Sequence, residues 1–267
     1  MYGTYVYVTC YESSLQLDGW MKIGVRGSKL ALAYAQKAID AIGEGEIEII
    51  KTDGDLFPDT PIHEIGGKGV FCNAIEYALA QGVIDVAVHS LKDMPGDVEH
   101  PDLHICAVLE RARPYDVLIG NVADNFVIGT SSPRRKAQLE QLYANHHVQI
   151  KPIRGNIDTR LAKLDAGEYD AIVLAEAGLD ALQIKRDYTR LPIVPAVGQG
   201  IIALQTRKDD VETNAIVSKA NHKLTYEQAQ LERALLKGIA GDCHTRVAGH
   251  ATGDNPIRLE AIYYTEN

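Results

Sequence analysis

The chain has 267 residues, of which 46% are hydrophobic and 24% are charged, and its formal net charge at pH 7 is −9. This length is sufficient for two or three domains with sizeable cores, and the composition is that of a globular protein. The acidic balance argues against nucleic acid as a partner, and no apolar run approaches the length of a membrane-spanning helix.

The four cysteines show neither the spacing of a metal site nor that of a redox pair; they are Cys10, Cys72, Cys106 and Cys243. We therefore predict reduced thiols, a cytoplasmic location and no metal. Residues 1–20 alternate tyrosine with small residues and contain neither the basic nor the apolar region of a signal peptide. We interpret them as an extension that precedes the first domain.

Short strands alternate with helices in the first part of the chain. The pattern predicts strands at 22–25, 47–51 and 85–89 and helices at 30–42 and 70–81. A glycine-rich connection at 53–69 is long enough to form a mobile lid. Alternation of this kind is typical of an α/β fold with a parallel sheet.

The same pattern restarts near Asp116, which indicates a second domain, and a proline- and glycine-rich hinge follows at 192–200. The later predicted strands lie at 117–119, 127–128, 148–150, 171–174 and 201–205. A third unit begins near Thr213 and contains a predicted helix at 228–239 and strands at 247–250 and 257–264. We therefore predict three domains, which are 21–114 together with 195–213, then 115–194, and then a small domain at 214–267.

A cationic segment at 129–160 stands out in this acidic chain. It holds six lysines and arginines against two acidic residues, a local charge of +4 (6 − 2). Ser132 and Pro133 predict the start of one helix, and Gly155 opens another. Helix N-termini flanked by arginines favour anions, and the guanidinium group matches carboxylate or phosphate. For any single arginine, the alternative is a solvated position at a helix end.

Several polar segments follow predicted strands, namely Arg26-Gly-Ser28, His89 to Asp93 and Gly129 to Arg135. In open α/β sheets, ligands lie beyond the carboxyl ends of the strands. These segments are therefore the candidates for a binding site.

Six short motifs occur in order along the chain: Arg26-Gly-Ser28, His89-Ser-Leu-Lys-Asp-Met-Pro95, Gly129-Thr-Ser-Ser-Pro-Arg-Arg135, Arg154-Gly-Asn-Ile-Asp-Thr-Arg160, Val197-Gly-Gln-Gly200 and Cys243. With these motifs the chain resembles, from Met21 to about His250, the porphobilinogen deaminase (hydroxymethylbilane synthase) family. The resemblance implies two α/β domains like those of type II periplasmic binding proteins. It also implies a small α+β C-terminal domain, which looks truncated in this chain.

The resemblance further implies an activity, in which four porphobilinogens are joined with loss of ammonia into the linear tetrapyrrole hydroxymethylbilane. Synthesis takes place on a dipyrromethane cofactor that is held as a thioether by a cysteine matching Cys243. Porphobilinogen is then the small-molecule partner, the protein is expected to be a monomer, and neither nucleic acid nor a membrane is involved.

The family's functional residues carry over by position. Asp93 matches the catalytic aspartate, whose carboxylate stabilises positive charge that develops on the pyrrole, and Lys92 and Arg26 accompany it. The residues expected to bind the cofactor are Cys243, Ser28, Lys92, Thr130, Ser132, Arg134, Arg135, Arg154, Gly155 and Arg160. The residues expected to contact the substrate or the lid are Arg26, Lys68, Ser90 and Gln199.

Several positions depart from the family's pattern. Tyr34 replaces a glutamine, Glu64 replaces a lid lysine, and Ala181 replaces an arginine that binds a cofactor carboxylate. Asp242 and His244 flank Cys243 in place of glycine and a neutral polar residue. Two alternatives therefore stay open. One is a non-catalytic carboxylate-binding protein of periplasmic-binding-like fold, and the other is a degenerate homologue that folds but turns over poorly.

Overall fold

The computed structural model describes residues 20–52, 72–96, 100–122, 125–239 and 246–264. The first part of the chain forms β1 (Lys22–Val25), α1 (Lys29–Ile42), β2 (Glu46–Ile49), α2 (Asn73–Ala80), β3 (Val86–Ser90) and β4 (Leu103–Val108). These strands and the later strand β10 (Ile202–Arg207) form a sheet in the order β2-β1-β3-β10-β4. Strand β10 is antiparallel to both of its neighbours, whereas β1 is parallel to β2 and β3.

The second sheet is built from the middle of the chain. Its elements are β5 (Asp116–Gly120), β6 (Asn125–Gly129), α3 (Pro133–Leu142), β7 (His147–Lys151), α4 (Ile157–Asp165), β8 (Ala171–Ala175), α5 (Glu176–Ala181) and β9 (Thr189–Arg190). The strand order is β7-β6-β8-β5-β9, and β5 is the strand that runs antiparallel to its neighbours. The two sheets therefore share one topology, and the predicted pair of α/β domains is confirmed.

Strand alternation explains how the first sheet is covered on both faces. Val86 and Val88 of β3 pack with Ala35 of α1 on one face, and Ala87 packs with Ile75 of α2 on the other. Successive side chains of a strand point to opposite faces, so a continuously apolar strand such as β3 is buried between two layers of helices.

The last part of the chain forms a smaller unit. It contains α6 (Val211–Val217), a short 3-10 helix (Ser218–Ala220), the long helix α7 (Lys223–Gly238), and the antiparallel pair β11 (Val247–Thr252) and β12 (Arg258–Tyr263). Helix α7 packs against β11 and β4. No helix in the described ranges is both long and apolar enough to cross a membrane.

One buried carboxylate joins this unit to the segments that connect the two sheets. Glu232 of α7 accepts hydrogen bonds from Arg111 Nη1 and Nη2 at 2.6 and 3.0 Å. It also accepts from the backbone N–H groups of Gly198 and Ala251 at 2.7 and 2.6 Å. Arg111 precedes the second sheet and Gly198 follows it, so Glu232 binds both of the segments that connect the two sheets.

Most predicted elements are present with shifted ends, and the structure adds β4, α5, β9 and α6. Helix α7 begins at Lys223 instead of 228 because His222 caps it, its Nδ1 accepting from the N–H of Thr225 at 3.3 Å. The proposed boundary at 213–214 falls inside α6, whose Val217 belongs to the buried core of the first sheet. The division into three domains stays a proposal. The lid at 53–69 and residues 1–19 lie outside the described residues.

Candidate active site

A 3-10 turn, Leu91–Asp93, follows the carboxyl end of β3. The N–H of Leu91 donates to the Ile201 carbonyl at 2.9 Å, and the N–H of Met94 donates to the Leu91 carbonyl at 3.1 Å. Leu91 and Met94 are buried, whereas Lys92 and Asp93 between them are only partly buried. The turn is therefore anchored by apolar side chains and presents two polar ones.

Tyr34 of α1 lies beside this turn. Its hydroxyl is hydrogen-bonded with the side chain of Ser90, and burial together with the Asp93 carboxylate raises the pKa of Tyr34 to about 12. The phenol therefore stays protonated at neutral pH and can donate a hydrogen bond. At the position where the resemblance implies glutamine, this chain supplies a hydroxyl donor next to Asp93.

Lys92 reaches from the turn to the segment that returns from the second sheet. Its Nζ donates to Gln199 Oε1 at 3.4 Å. Burial lowers the pKa of Lys92 to about 8, an effect that the Asp93 carboxylate opposes and the Arg135 guanidinium strengthens. A lowered pKa means that the charge of the ammonium is insufficiently compensated, so a ligand carboxylate beside it is favoured.

Arg134 and Arg135, in the first turn of α3, are buried and share one carboxylate. Arg134 Nη1 lies 2.7 Å from Asp116 Oδ2, and Arg135 Nη2 lies 2.7 Å from Asp116 Oδ1. They also donate to backbone carbonyls, Arg134 to Val194 at 2.7 Å and Arg135 to Val173 at 3.0 Å. Burial alone would raise the pKa of Asp116, but the two guanidinium groups bring it down to about 2.

Two guanidinium groups against one carboxylate leave a net charge of +1 at this position. Gln199 Nε2 also donates to Asp116 Oδ1, at 3.1 Å, which connects the group to the partner of Lys92. In the structure these arginines hold α3 against β5 and still contribute positive potential. Their binding of cofactor carboxylates stays a prediction.

The second helix start of the cationic segment adds Arg154 and Arg160. Arg160 Nε donates to the Gly155 carbonyl at 2.7 Å. Gly155 has a φ of +107°, a conformation that a side chain would make strained. Burial and the charge of Arg135 lower the pKa of Arg160 to about 10, against the opposing charge of Asp93. We call the unit around the first sheet the first lobe and the unit around the second sheet the second lobe. The Asp93 carboxylate of the first lobe and the guanidinium groups of the second lobe therefore interact electrostatically.

Three hydroxyl groups predicted as ligand donors cap helices or loops. Ser28 Oγ accepts from the N–H of Ala31 at 3.3 Å, at the start of α1. Ser132 Oγ accepts from the N–H of Arg135 at 3.3 Å, and Thr130 Oγ1 accepts from the N–H of Ser132 at 3.2 Å. A hydroxyl that accepts in this way keeps its own proton, so each of the three can also donate to a ligand.

The structure thus brings together seven predicted site residues through hydrogen bonds between side chains or through mutual electrostatic influence: Lys92, Asp93, Arg134, Arg135, Arg154, Arg160 and Gln199. Arg26 follows β1 and is partly buried, and its role stays a prediction. Lys68 and Cys243 lie outside the described residues. Among the residues that are described, no cluster of histidine, cysteine or acidic side chains could hold a metal ion.

Sequence reasoning missed Asp116 as part of the site. The sequence did contain a signal for it, because Asp116 stands at the start of an otherwise apolar strand and a buried acidic residue needs a partner. Beside the departure at Ala181, Asp180 accepts two hydrogen bonds from Arg113, at 2.9 and 2.5 Å. Asp180 therefore serves an ion pair, whereas nothing in the structure explains Ala181.

Two α/β lobes of equal topology, with cationic and hydroxyl groups between them at strand ends, define a class of proteins that bind a small anionic ligand in a cleft. Within that class, residues 21–215 match the family model described as "Porphobilinogen deaminase, dipyromethane cofactor binding domain". The chain belongs to the porphobilinogen deaminase family.

Curated relatives cover most of the chain. A probable porphobilinogen deaminase of Archaeoglobus fulgidus is 42% identical over 252 residues, which are 89% of this chain and 85% of that protein. The probable enzyme of Methanocaldococcus jannaschii is 41% identical, covering 92% and 89%. The porphobilinogen deaminase of Orientia tsutsugamushi is 41% identical, covering 90% and 86%. The similarity therefore extends well beyond the residues of the family model.

Proposed function

We propose that the chain is a hydroxymethylbilane synthase, which joins four porphobilinogens with release of ammonia into a linear tetrapyrrole. One observation carries this proposal beyond family membership. The turn that bears Asp93 belongs to the first lobe, and the charge of its carboxylate favours the charged form of the partly buried Arg160 of the second lobe. A negative group for catalysis and positive groups for binding therefore share one cleft.

The residues present fit a dipyrromethane cofactor. Every pyrrole ring of such a group carries an acetate and a propionate, so it brings several carboxylates into the cleft. Burial lowers the pKa of both Lys92 and Arg160, so a ligand carboxylate beside these two cations is favoured. Arg134 and Arg135 add a net charge of +1 after their pairing with Asp116. When bound, the group supplies the pyrrole carbon to which each new ring is joined.

Asp93 has the role of stabilising positive charge. Loss of ammonia from porphobilinogen leaves positive charge on the pyrrole, and a fixed carboxylate near the ring N–H lowers the energy of that transition state. The buried neighbours Leu91 and Met94 fix the position of Asp93. Tyr34 and Ser90 supply hydroxyl groups beside it and can orient a substrate carboxylate.

Cys243 is the proposed anchor, through a thioether, of the cofactor. A thiolate is the reactive form of cysteine, and His244 beside it would favour this form whereas Asp242 would oppose it. We further propose a monomeric, cytoplasmic enzyme.

The experiment that tests the proposal is the intact mass of the purified protein under denaturing conditions, followed by a turnover assay. We expect a mass excess equal to two porphobilinogens less two ammonias, located at Cys243 by peptide mapping, and ammonia release on adding porphobilinogen. Cys243→Ser should lack the excess, and Cys106→Ser, which changes a half-buried thiol of β4, should keep it.

The alternatives give different results. A protein that stays bare after incubation with porphobilinogen and releases no ammonia is a carboxylate-binding protein instead. A protein that carries the cofactor but turns over very slowly is a degenerate homologue.

A further inference from the structure

Three polar side chains form a hydrogen-bonded row behind the turn that bears Asp93. His89 Nε2 lies 3.2 Å from Gln205 Oε1, and Gln205 Nε2 donates to Glu76 Oε1 at 2.8 Å. His89 and Gln205 are almost completely buried, with exposed fractions of 5% and 4%. The three residues come from β3, β10 and α2, so the row connects three separate elements.

The pairing of the strands places two of these side chains on one face. His89 pairs with Ala203 and Ala87 pairs with Gln205 in the antiparallel β3–β10 ladder. His89 and Gln205 are therefore diagonal neighbours on the face covered by α2, within reach of each other.

The chemistry of the row fixes which ring nitrogen of His89 donates. An ionised Glu76 can only accept hydrogen bonds, so Gln205 has to present its NH2 group to Glu76 and its carbonyl oxygen to His89. His89 must then donate from Nε2, which makes Nε2–H the required tautomer. The second proton of an imidazolium would have to go to Nδ1.

Burial favours the neutral form of His89. It lowers the pKa of His89, although the Glu76 carboxylate from α2, the hydrogen bond with Gln205 and the Asp93 carboxylate from the turn oppose the shift. Strand β10 contributes the neutral Gln205. Neutrality matters because the charges of His89 and Asp93 influence one another, and an imidazolium would offset the negative charge of Asp93 that the reaction needs.

We propose that His89 is a positioning residue for the reaction: Gln205, oriented by Glu76, fixes it as the Nε2–H tautomer, and the buried neutral ring supports the Asp93 turn without offsetting the Asp93 carboxylate. This inference rests on the function proposed above. It assigns to His89, Gln205 and Glu76 a role in the electrostatics of the site, in addition to their packing.

A cavity of about 400 Å³ lies beside the row and can accommodate a substituted polar side chain. Gln205 and Glu76 line it together with Leu91 and Met94, the two buried anchors of the turn. A carboxylate introduced at 205 would therefore face a space that can admit water, and the fold need not seal it in an apolar core.

The test is Gln205→Glu, which changes an amide into a carboxylate of nearly the same shape. A carboxylate next to His89 favours the imidazolium, so the midpoint on the acid side of the kcat/KM profile should move to higher pH by roughly one unit or more. At a given acid pH, kcat/KM of the variant should then be about tenfold lower than that of the wild type. The double variant His89→Gln with Gln205→Glu should lose this shift because it has no imidazole to titrate.

Two variants of His89 separate positioning from packing. Glutamine can still donate to Gln205, so His89→Gln should retain kcat within a few-fold. His89→Leu should lower kcat about tenfold or more with unchanged KM and unchanged cofactor mass. Equal activity of the two variants would contradict the proposal.

Nitrogen-15 NMR of labelled histidine in the wild-type protein provides an independent check, which can be made even if Gln205→Glu does not fold. We expect the Nε2–H tautomer at pH 7, and either an imidazolium or an Nδ1–H tautomer would overturn the inference. In the kinetic test, superimposable pH profiles for the folded Gln205→Glu and wild-type proteins would also overturn it. Absence of turnover in the wild-type protein would instead contradict the proposed function.

Discussion

The two lobes share one strand order, but they differ in how their charged side chains are buried and paired. In the second lobe, Asp116, Arg134 and Arg135 are buried and paired with one another, the two arginine side chains being only 5% and 9% exposed. In the first lobe, Lys92 and Asp93 sit on a short turn, partly buried, between the buried anchors Leu91 and Met94.

The difference indicates two ways of building one site. The second lobe fixes its positive potential by making the charges part of the core, so that no reorganisation is needed when a ligand arrives. The first lobe keeps its polar groups at the end of an anchored turn, where they can meet the reacting atoms. Substitutions in the second lobe should therefore reduce stability, and substitutions on the turn should reduce turnover.

The largest expected effect is the loss of the shared carboxylate in the second lobe. Asp116→Asn leaves two buried guanidinium groups without a counter-charge, and we expect a loss of about 5 kcal/mol in the free energy of unfolding, at the upper end of the range for a broken buried pair. Urea unfolding followed by circular dichroism measures it.

The control for this prediction is an exposed pair in the same lobe. Asp180→Asn breaks the ion pair with Arg113, whose side chain is half exposed, and should cost far less stability than Asp116→Asn. Equal stabilities of the Asp116→Asn and Asp180→Asn variants would contradict the contrast between the lobes.

Asp93→Asn should have the largest effect on activity. It keeps the shape of the turn and removes the charge that stabilises the transition state, so we expect turnover to fall roughly 10³-fold, or about 4 kcal/mol. Ammonia release measures the loss, and the midpoint of urea unfolding should stay close to that of the wild type. Near-normal turnover would mean that another group carries the role assigned to Asp93.

The α/β fold could be predicted from the sequence because local signals for strands and for helix starts recur along the chain. Apolar β-branched runs predicted strands such as β3 and β8, and Ser132 with Pro133 predicted the start of α3, where Ser132 is indeed the cap. Strand β4 was missed because His104 and Cys106 interrupt its apolar pattern. It is stable as a strand because β10 pairs with it and α7 covers it.

The site was predictable only in part, for a physical reason. Motifs identify residue types at strand ends, but the partners of those residues lie far away in the chain. Asp116 and Arg135 are 19 positions apart, and His89 and Gln205 are 116 apart. The lowered pKa of Lys92 likewise results from burial, which only the packed structure defines.

A smaller effect is expected from the titration of Lys92. Its pKa of about 8 lies below the usual 10.5, so in the cofactor-free protein the ammonium loses its proton as the pH rises through 8, and the affinity for porphobilinogen should fall about tenfold per unit above that pH. Lys92→Arg keeps the charge and should move this decrease in affinity to higher pH. Stability should change in the opposite direction, because between pH 8 and 10.5 the unfolded chain binds the extra proton and folding is favoured as the pH rises.

The smallest effect concerns Tyr34, which belongs to the first lobe but faces the turn from α1. Tyr34→Phe removes the hydroxyl that is hydrogen-bonded with Ser90, and a loss of about 1 kcal/mol, or roughly five-fold in kcat/KM, is expected for one such bond. Because the pKa of Tyr34 is about 12, the loss should be uniform between pH 6 and 9, in contrast to the pH-dependent affinity that results from Lys92. Tyr34→Gln supplies an amide donor and should recover part of the loss. A Tyr34→Phe effect that varies with pH in this range would show that the hydroxyl acts through the charge of Asp93 and not as a simple donor.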